Sequence, residues 1–148
     1  MRTDPDPNCS EFRLLVDYLD YQRETALSKT EGLTHVQLVS KHPPSELTLA
    51  GLLYHLALVE ENWMEVRFSG LPEREPWASV DWDADPNWEF RTAESMEPEQ
   101  LRARYRRACE RSHHLPLPEA VNAITADVRP AEEPADDDLL LLAVEVRE

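Results

Sequence analysis

Apolar residues recur at helical spacing in three long segments of the chain. In residues 11–29 they are three or four positions apart, and charged residues fill the opposite side. A second segment, residues 48–69, begins at Thr48, a good helix cap, and ends before Gly70, a common helix stop. The third covers about residues 96–113. The pattern predicts three long or medium helices and an all-α fold.

The apolar stripes indicate which side of each helix should be buried. We expect the three stripes to face a common core, because an amphipathic helix buries its apolar side. The stripe residues are Phe12, Leu15, Val16, Leu19 and Ala26 in the first helix, Leu52, Leu56, Val59 and Trp63, widened by Leu49 and Leu53, in the second, and Leu101, Tyr105, Ala108 and Ser112 in the third.

The segments between and after these helices carry different signals. Thr34 and Gln37 have the spacing of a capping box, which predicts a short helix over residues 34–40. Residues 71–95 are rich in proline, tryptophan and acids, and are interpreted as an ordered loop whose aromatic side chains pack across the helices. After residue 115 prolines and acidic runs interrupt the pattern. We therefore predict a helical domain over residues 1–115 and a divergent tail over 116–148.

Composition limits the classes of partner. With 148 residues, 41% of them apolar, the chain can bury one core. Thirty acidic against fifteen basic residues give a net charge of -15, which repels nucleic acid and anionic membranes, so neither is an expected partner. Cys9 and Cys109 form no motif, the N-terminus lacks a secretion signal, and the longest apolar run, residues 139–144, cannot span a bilayer. These features predict a cytoplasmic protein.

His55 is the main candidate for chemistry. It lies one step off the apolar stripe of the second long helix, which places it at the edge of the core. A single histidine there is either a hydrogen-bonded structural residue or a metal ligand. His113 and His114, at the end of the third helix, are interpreted as stabilising its C-terminus.

Other polar residues are predicted to be structural. Glu60 is expected to make a structural hydrogen bond, and Cys109 to be a small core residue. Asp81, Asp83 and Asp85 alternate as at the start of a calcium loop, but the glycine and glutamate of such a loop are missing, which favours a solvated loop. The arginines of the third helix are interpreted as a solvated, salt-bridged face; they are Arg102, Arg104, Arg106, Arg107 and Arg111.

Three stretches together resemble a known family. They are LLVDYLDYQRETALSKTEGLTHVQL (residues 14–38), LTLAGLLYHLALVEENWMEVRFSG (47–70) and VDWDADPNWEF (80–90). They are similar to the actinobacterial, mini-circle-like branch of the DinB superfamily, which is related to mycothiol-dependent maleylpyruvate isomerases and to transferases. The resemblance covers about residues 11–112.

The resemblance implies an up-down bundle of four helices that holds a divalent metal with three histidines. One would come from the second helix and two from a His-x-x-x-His pair on the fourth, and His55 matches the first. Three neutral imidazoles can hold zinc or nickel and leave a position for water or a substrate thiol. After residue 115 the sequence contains no histidine. The fourth helix is therefore expected to be degenerate or missing, and the metal site incomplete.

These observations leave several functions open. The resemblance implies a metal-dependent small-thiol S-transferase or isomerase, whose partners would be a thiol such as mycothiol and a small electrophile. The alternative is a non-catalytic helical protein that binds a partner or forms a homodimer through an unclosed bundle surface. A truncated or frameshifted family member is a third possibility, which translation of the downstream DNA in other frames would test. Whether the chain is an enzyme stays open at this stage.

Overall fold

The computed structural model describes residues 3–113, and this part of the chain is helical and contains no strand. The predicted all-α class is confirmed, whereas the predicted tail and degenerate fourth helix lie outside the described residues. The helices are α1 (Glu11–Thr30), α2 (His35–Leu38), α3 (Leu49–Glu60), α4 (Trp88–Ala93) and α5 (Pro98–Ser112). A π-helix over Glu61–Phe68, called the π segment below, continues α3 directly, and Trp77–Ser79 form a 3-10 turn.

The predicted helix ends are confirmed by their local hydrogen bonds. The Thr34 and Gln37 side chains form the reciprocal capping box at α2. The Thr48 hydroxyl accepts a hydrogen bond of 3.0 Å from the backbone N–H of Gly51 and so caps α3. Gly70, with φ of +63°, follows the π segment in the left-handed conformation that favours glycine.

The core of the described residues forms around α3, which packs against α5 and α4, while α1 lies against α3 and α5. The predicted stripe of α5 is confirmed, because all four of its residues are buried. Buried apolar residues of the core are Leu38, Ala50, Leu53, Tyr54, Ala57, Trp77, Ala93, Leu101, Tyr105, Ala108 and Cys109.

The predicted buried side of α3 is only partly right: Leu53 is buried, and Leu49 and Leu56 pack against the core. Leu52 and Trp63, which belong to the predicted stripe, are 42% and 48% exposed. Beside Leu53 and Tyr54, the buried side carries small residues, which let neighbouring helices approach closely, and Glu60, which is paired with Arg23. Hydropathy scores small and ionised side chains as indifferent or polar, so the apolar pattern missed this part of the buried side. The residues of the buried side are Ala50, Gly51, Leu53, Tyr54, Ala57 and Glu60.

The predicted buried side of α1 is largely wrong. Phe12, Leu15 and Leu19 are exposed in the described structure. The buried positions of α1 are Arg23 and Thr30. Arg23 reaches a carboxylate of α3 (see below), and this ion pair, which no apolar pattern reveals, sets the side that α1 presents to the bundle.

Residues 71–95 contain more regular structure than the sequence predicts, since α4 and the 3-10 turn both lie there. Each is too short to show a periodic pattern. The aromatic packing is confirmed, because the buried Trp77 ring lies 4.8 Å from Tyr54 and 5.8 Å from Trp88 between centroids. Trp82 in turn packs edge-on against Trp88. This aromatic cluster holds the segment, including α4, against α3.

Candidate functional site

His55 lies near the middle of α3 at the margin of its buried side, as predicted. Its side chain is 38% exposed. The imidazole stacks on the ring of Phe90 in α4, with centroids 5.3 Å apart and planes 20° from parallel. Its Nδ1 lies 3.2 Å from Oε1 of Glu89, also in α4. Two consecutive residues of α4 therefore contact the imidazole, one through its face and one through a ring nitrogen.

Glu89 is a buried carboxylate, with 6% of its side chain exposed. Its Oε2 is buried and has no hydrogen-bond partner within the described part of the chain. An ionised carboxylate can only accept hydrogen bonds, so in this contact the proton lies on Nδ1 of His55. The Nε2 atom is then the ring nitrogen with a lone pair, which is the atom that a neutral imidazole offers to a metal.

Close contact between α3 and α4 brings these residues together. A Cβ atom on Gly51 would lie 2.9 Å from the Phe90 ring, so any larger residue would displace this ring from its present position. Trp88 anchors the start of α4 in the aromatic cluster, 6.3 Å from Tyr54 between ring centroids. The geometry at His55 thus depends on a glycine of α3 and a tryptophan of α4.

The pair formed by His55 and Glu89 fits one part of the metal site that the resemblance implies. Histidine ligands of zinc commonly donate their second N–H to a carboxylate, which fixes the orientation of the ring. Among residues 3–113, no three or more His, Cys, Asp or Glu side chains are grouped so as to hold a metal ion. Within this range His55 supplies one candidate ligand nitrogen, and its role as a ligand stays a prediction.

Two of the residues that the sequence assigned to structural roles connect helices. The Nε2 atom of His113, which caps the end of α5, lies 3.0 Å from Oδ1 of Asp20 in α1. Glu60 is buried and accepts a hydrogen bond of 2.9 Å from Nε of Arg23, so its predicted structural role is confirmed. His114 lies outside the described residues.

The acidic loop and the cysteine also follow the sequence prediction. Asp81 accepts a hydrogen bond of 3.0 Å from the Ala84 backbone, and Asp85 pairs with Arg91 on the surface. Cys109 is buried in the core, and this burial, reinforced by the negative charge of Glu60, raises the pKa of its thiol to about 11. A thiol with so high a pKa is a poor nucleophile at neutral pH.

A buried network of glutamates and arginines lies beside this region, where α5 packs on the π segment. Oε2 of Glu61 accepts hydrogen bonds from Nε1 of Trp77 at 2.6 Å and from Nη2 of Arg104 at 3.1 Å. Arg111 pairs with the other oxygen of Glu61 and donates from Nε to Oε1 of Glu65 at 2.6 Å. Arg104 also lies over the Trp77 ring, 4.9 Å from its centroid. Both carboxylates are therefore neutralised by residues outside their own helix.

Glu65 shows how the network works electrostatically. Burial alone would raise the pKa of its carboxyl group, but hydrogen bonds and charges from Arg111 and Arg74 outweigh burial and leave that pKa below its ordinary value. The predicted solvated, salt-bridged face of α5 is therefore right about the salt bridges of Arg111 and Arg104 but wrong about the solvation of their partners, which are buried carboxylates. It is also wrong for Arg102, which is buried and donates to the Thr30 carbonyl at 2.6 Å.

The sequence alone does not reveal this network. Glutamates of the π segment and arginines of α5 each look like solvent-exposed residues when a helix is considered alone. Their pairing could have been predicted only from acids on one helix that face bases on its neighbour. Such a prediction requires the packing of the two helices to be known.

No helix in residues 3–113 is both long enough and apolar enough to cross a membrane. The sequence model of the mycothiol-S-transferase family matches residues 14–145. Neither the curated proteins nor the solved structures include a significant match.

The family match covers most of the chain and extends past residue 115, where the sequence placed the start of a divergent tail. That domain boundary and the mini-circle-like branch stay predictions. The resemblance to the DinB superfamily is confirmed, because the matching family is DinB-like and the described residues form a helical bundle. The chain belongs to the mycothiol-S-transferase family.

Proposed function

We propose that the chain is a metal-dependent S-transferase or isomerase that joins a small thiol of the mycothiol type to a small electrophile. Membership of the mycothiol-S-transferase family supports the class of thiol. The main support for the proposal is His55, a partly exposed imidazole whose Nδ1 lies 3.2 Å from a buried carboxylate, which leaves Nε2 as the nitrogen with the lone pair in the neutral ring. Cys9 and Cys109 are free thiols, which supports the proposed cytoplasmic location.

In this proposal His55 holds a zinc or nickel ion through Nε2. The bound metal would lower the pKa of the substrate thiol, so that the thiolate is available near neutral pH. Phe90 and Glu89 keep the imidazole from rotating, which maintains the direction of the ligand nitrogen. The chain's own cysteine in the core, Cys109, takes no part, because burial keeps its thiol protonated.

Metal analysis of the purified protein tests this proposal. We expect about one zinc or nickel ion per chain, lost in His55→Ala but retained in His42→Ala, which removes an exposed histidine outside the helices. Transfer of mycothiol to a reactive electrophile should fall in parallel in His55→Ala. A metal-free wild-type protein, or full metal content in His55→Ala, would refute the proposal.

The second candidate function is a non-catalytic helical protein that forms homodimers or binds a partner. The observation that favours it is the exposure of Phe12, Leu15 and Tyr18 along one side of α1 in the described structure. Sedimentation analysis separates the two candidates. A metal-free dimer that dissociates in Leu15→Glu supports this function, whereas a metal-containing monomer contradicts it.

A further inference from the structure

The environment of Glu89 is unusual for a carboxylate. It is almost completely buried, yet His55 is its one hydrogen-bonding partner among the described residues, and its Oε2 has none. By contrast, the buried carboxylate of Glu61 receives donors from Trp77, Arg104 and Arg111. Burial of a carboxylate with so few donors is costly, so a purely structural role would favour an apolar residue there.

We infer that Glu89 is a positioning residue that holds His55 in the tautomer with the proton on Nδ1 and the lone pair on Nε2. Its role depends on the acceptor oxygen that it presents to Nδ1, 3.2 Å away. The stacked Phe90 ring limits tilting of the imidazole, while Glu89 decides which nitrogen carries the proton. As far as it concerns metal binding, this inference rests on the proposed function.

The fold holds Glu89 in this position from both sides. The preceding residue, Trp88, is fixed by the aromatic cluster, and the following residue, Phe90, lies against Gly51. The backbone of Glu89 is therefore held between two tightly packed neighbours, and its carboxylate is 6% exposed. Such support from packed neighbours is what a residue needs if it is to orient another side chain.

The first arm of the test uses metal-free protein and is independent of metal binding. Nitrogen-15 NMR at about pH 9, where an ordinary imidazole is neutral, reports the tautomer of each histidine. The resonance missing in His55→Ala identifies His55. We expect the Nδ1–H form to dominate in wild type and in Glu89→Gln, whose amide oxygen can still accept. In Glu89→Ala the resonance should shift towards a mixture of tautomers, and in Glu94→Gln, an exposed control, it should not change.

The second arm measures zinc affinity by competition with a chromophoric chelator. Loss of a carboxylate that orients a ligand histidine weakens metal binding by about 10- to 100-fold, so we expect this loss in Glu89→Ala. Glu89→Gln should lose much less. Equal losses in Glu89→Ala and Glu89→Gln would overturn the inference, because they would indicate that the carboxylate itself binds the metal.

The two arms separate failure of this inference from failure of the proposed function. If the wild type binds no zinc but the tautomer depends on Glu89 as described, the proposed function fails and the positioning role of Glu89 stands. If zinc binds with equal affinity to wild type and Glu89→Ala, and the tautomer is unchanged, the positioning role is refuted while the metal-binding function stands.

Discussion

Replacement of Arg111 by methionine tests the buried network most directly. Arg111 contacts two carboxylates that are almost completely buried, Glu61 and Glu65. Removing one partner of a buried ion pair costs about 3–5 kcal/mol, because the remaining charge is left without compensation. Two features reduce this figure: Arg111 is 33% exposed, and each carboxylate keeps another donor. We therefore expect Arg111→Met to lower the free energy of unfolding by about 2–3 kcal/mol.

The matched control is Arg107→Met, the same substitution at an exposed position of the same helix. It should change stability by less than about 0.5 kcal/mol. Urea denaturation followed by circular dichroism at pH 7 measures both variants. If the two variants lose the same free energy within about 0.5 kcal/mol, the reasoning about the network is wrong.

The difference in stability between wild type and Arg111→Met should depend on pH. The pKa of Glu65 is lowered in the folded protein, so its contribution to stability is fully present above the ordinary value of 4.5 and is lost as pH falls through the folded value. In Arg111→Met the pKa of Glu65 is lowered less, because only Arg74 remains to lower it. The difference in stability between wild type and Arg111→Met should therefore be constant near neutral pH and decrease below about pH 4.5.

Two further predictions concern the contact between α3 and α4 and the reactivity of the thiols. Gly51→Ala should destabilise the protein by about 1 kcal/mol in urea denaturation, because overlap with the Phe90 ring outweighs the gain in helix propensity; a more stable variant would contradict the close contact. At pH 8, iodoacetamide should alkylate the partly exposed Cys9 much faster than Cys109, whose burial raises the thiol pKa to about 11. Mass spectrometry after digestion gives both rates, and equal rates would show that Cys109 is accessible.

The fold could be predicted from the sequence wherever a helix buries apolar residues and exposes polar ones. The α5 stripe at Leu101 and Tyr105 follows this rule, and so do the helix ends at Thr48 and Gly70. The rule fails where a helix buries a carboxylate, as α3 does with Glu60, which pairs with Arg23. Hydropathy treats such a residue as exposed, and only the position of the opposing arginine shows otherwise.

The candidate site was predictable in part. The position of His55 at the edge of the core follows from its offset from the apolar stripe, and its possible function came from the resemblance. Glu89 was not predicted as a site residue, although it lies in one of the segments that carry the resemblance. It occurs in a six-residue helix without a periodic signal, and its importance arises only when Gly51 allows α4 to approach α3.

The network between the π segment and α5 also has a consequence for the order of folding. Glu61 and Glu65 precede their arginine partners on α5 by more than 40 residues. A nascent or truncated chain that ends before α5 would have to desolvate these carboxylates without those partners, which is unfavourable. The buried side of the π segment should therefore stay hydrated until α5 has been synthesised and docks. Collapse of the core and neutralisation of its acids would then form a single cooperative step.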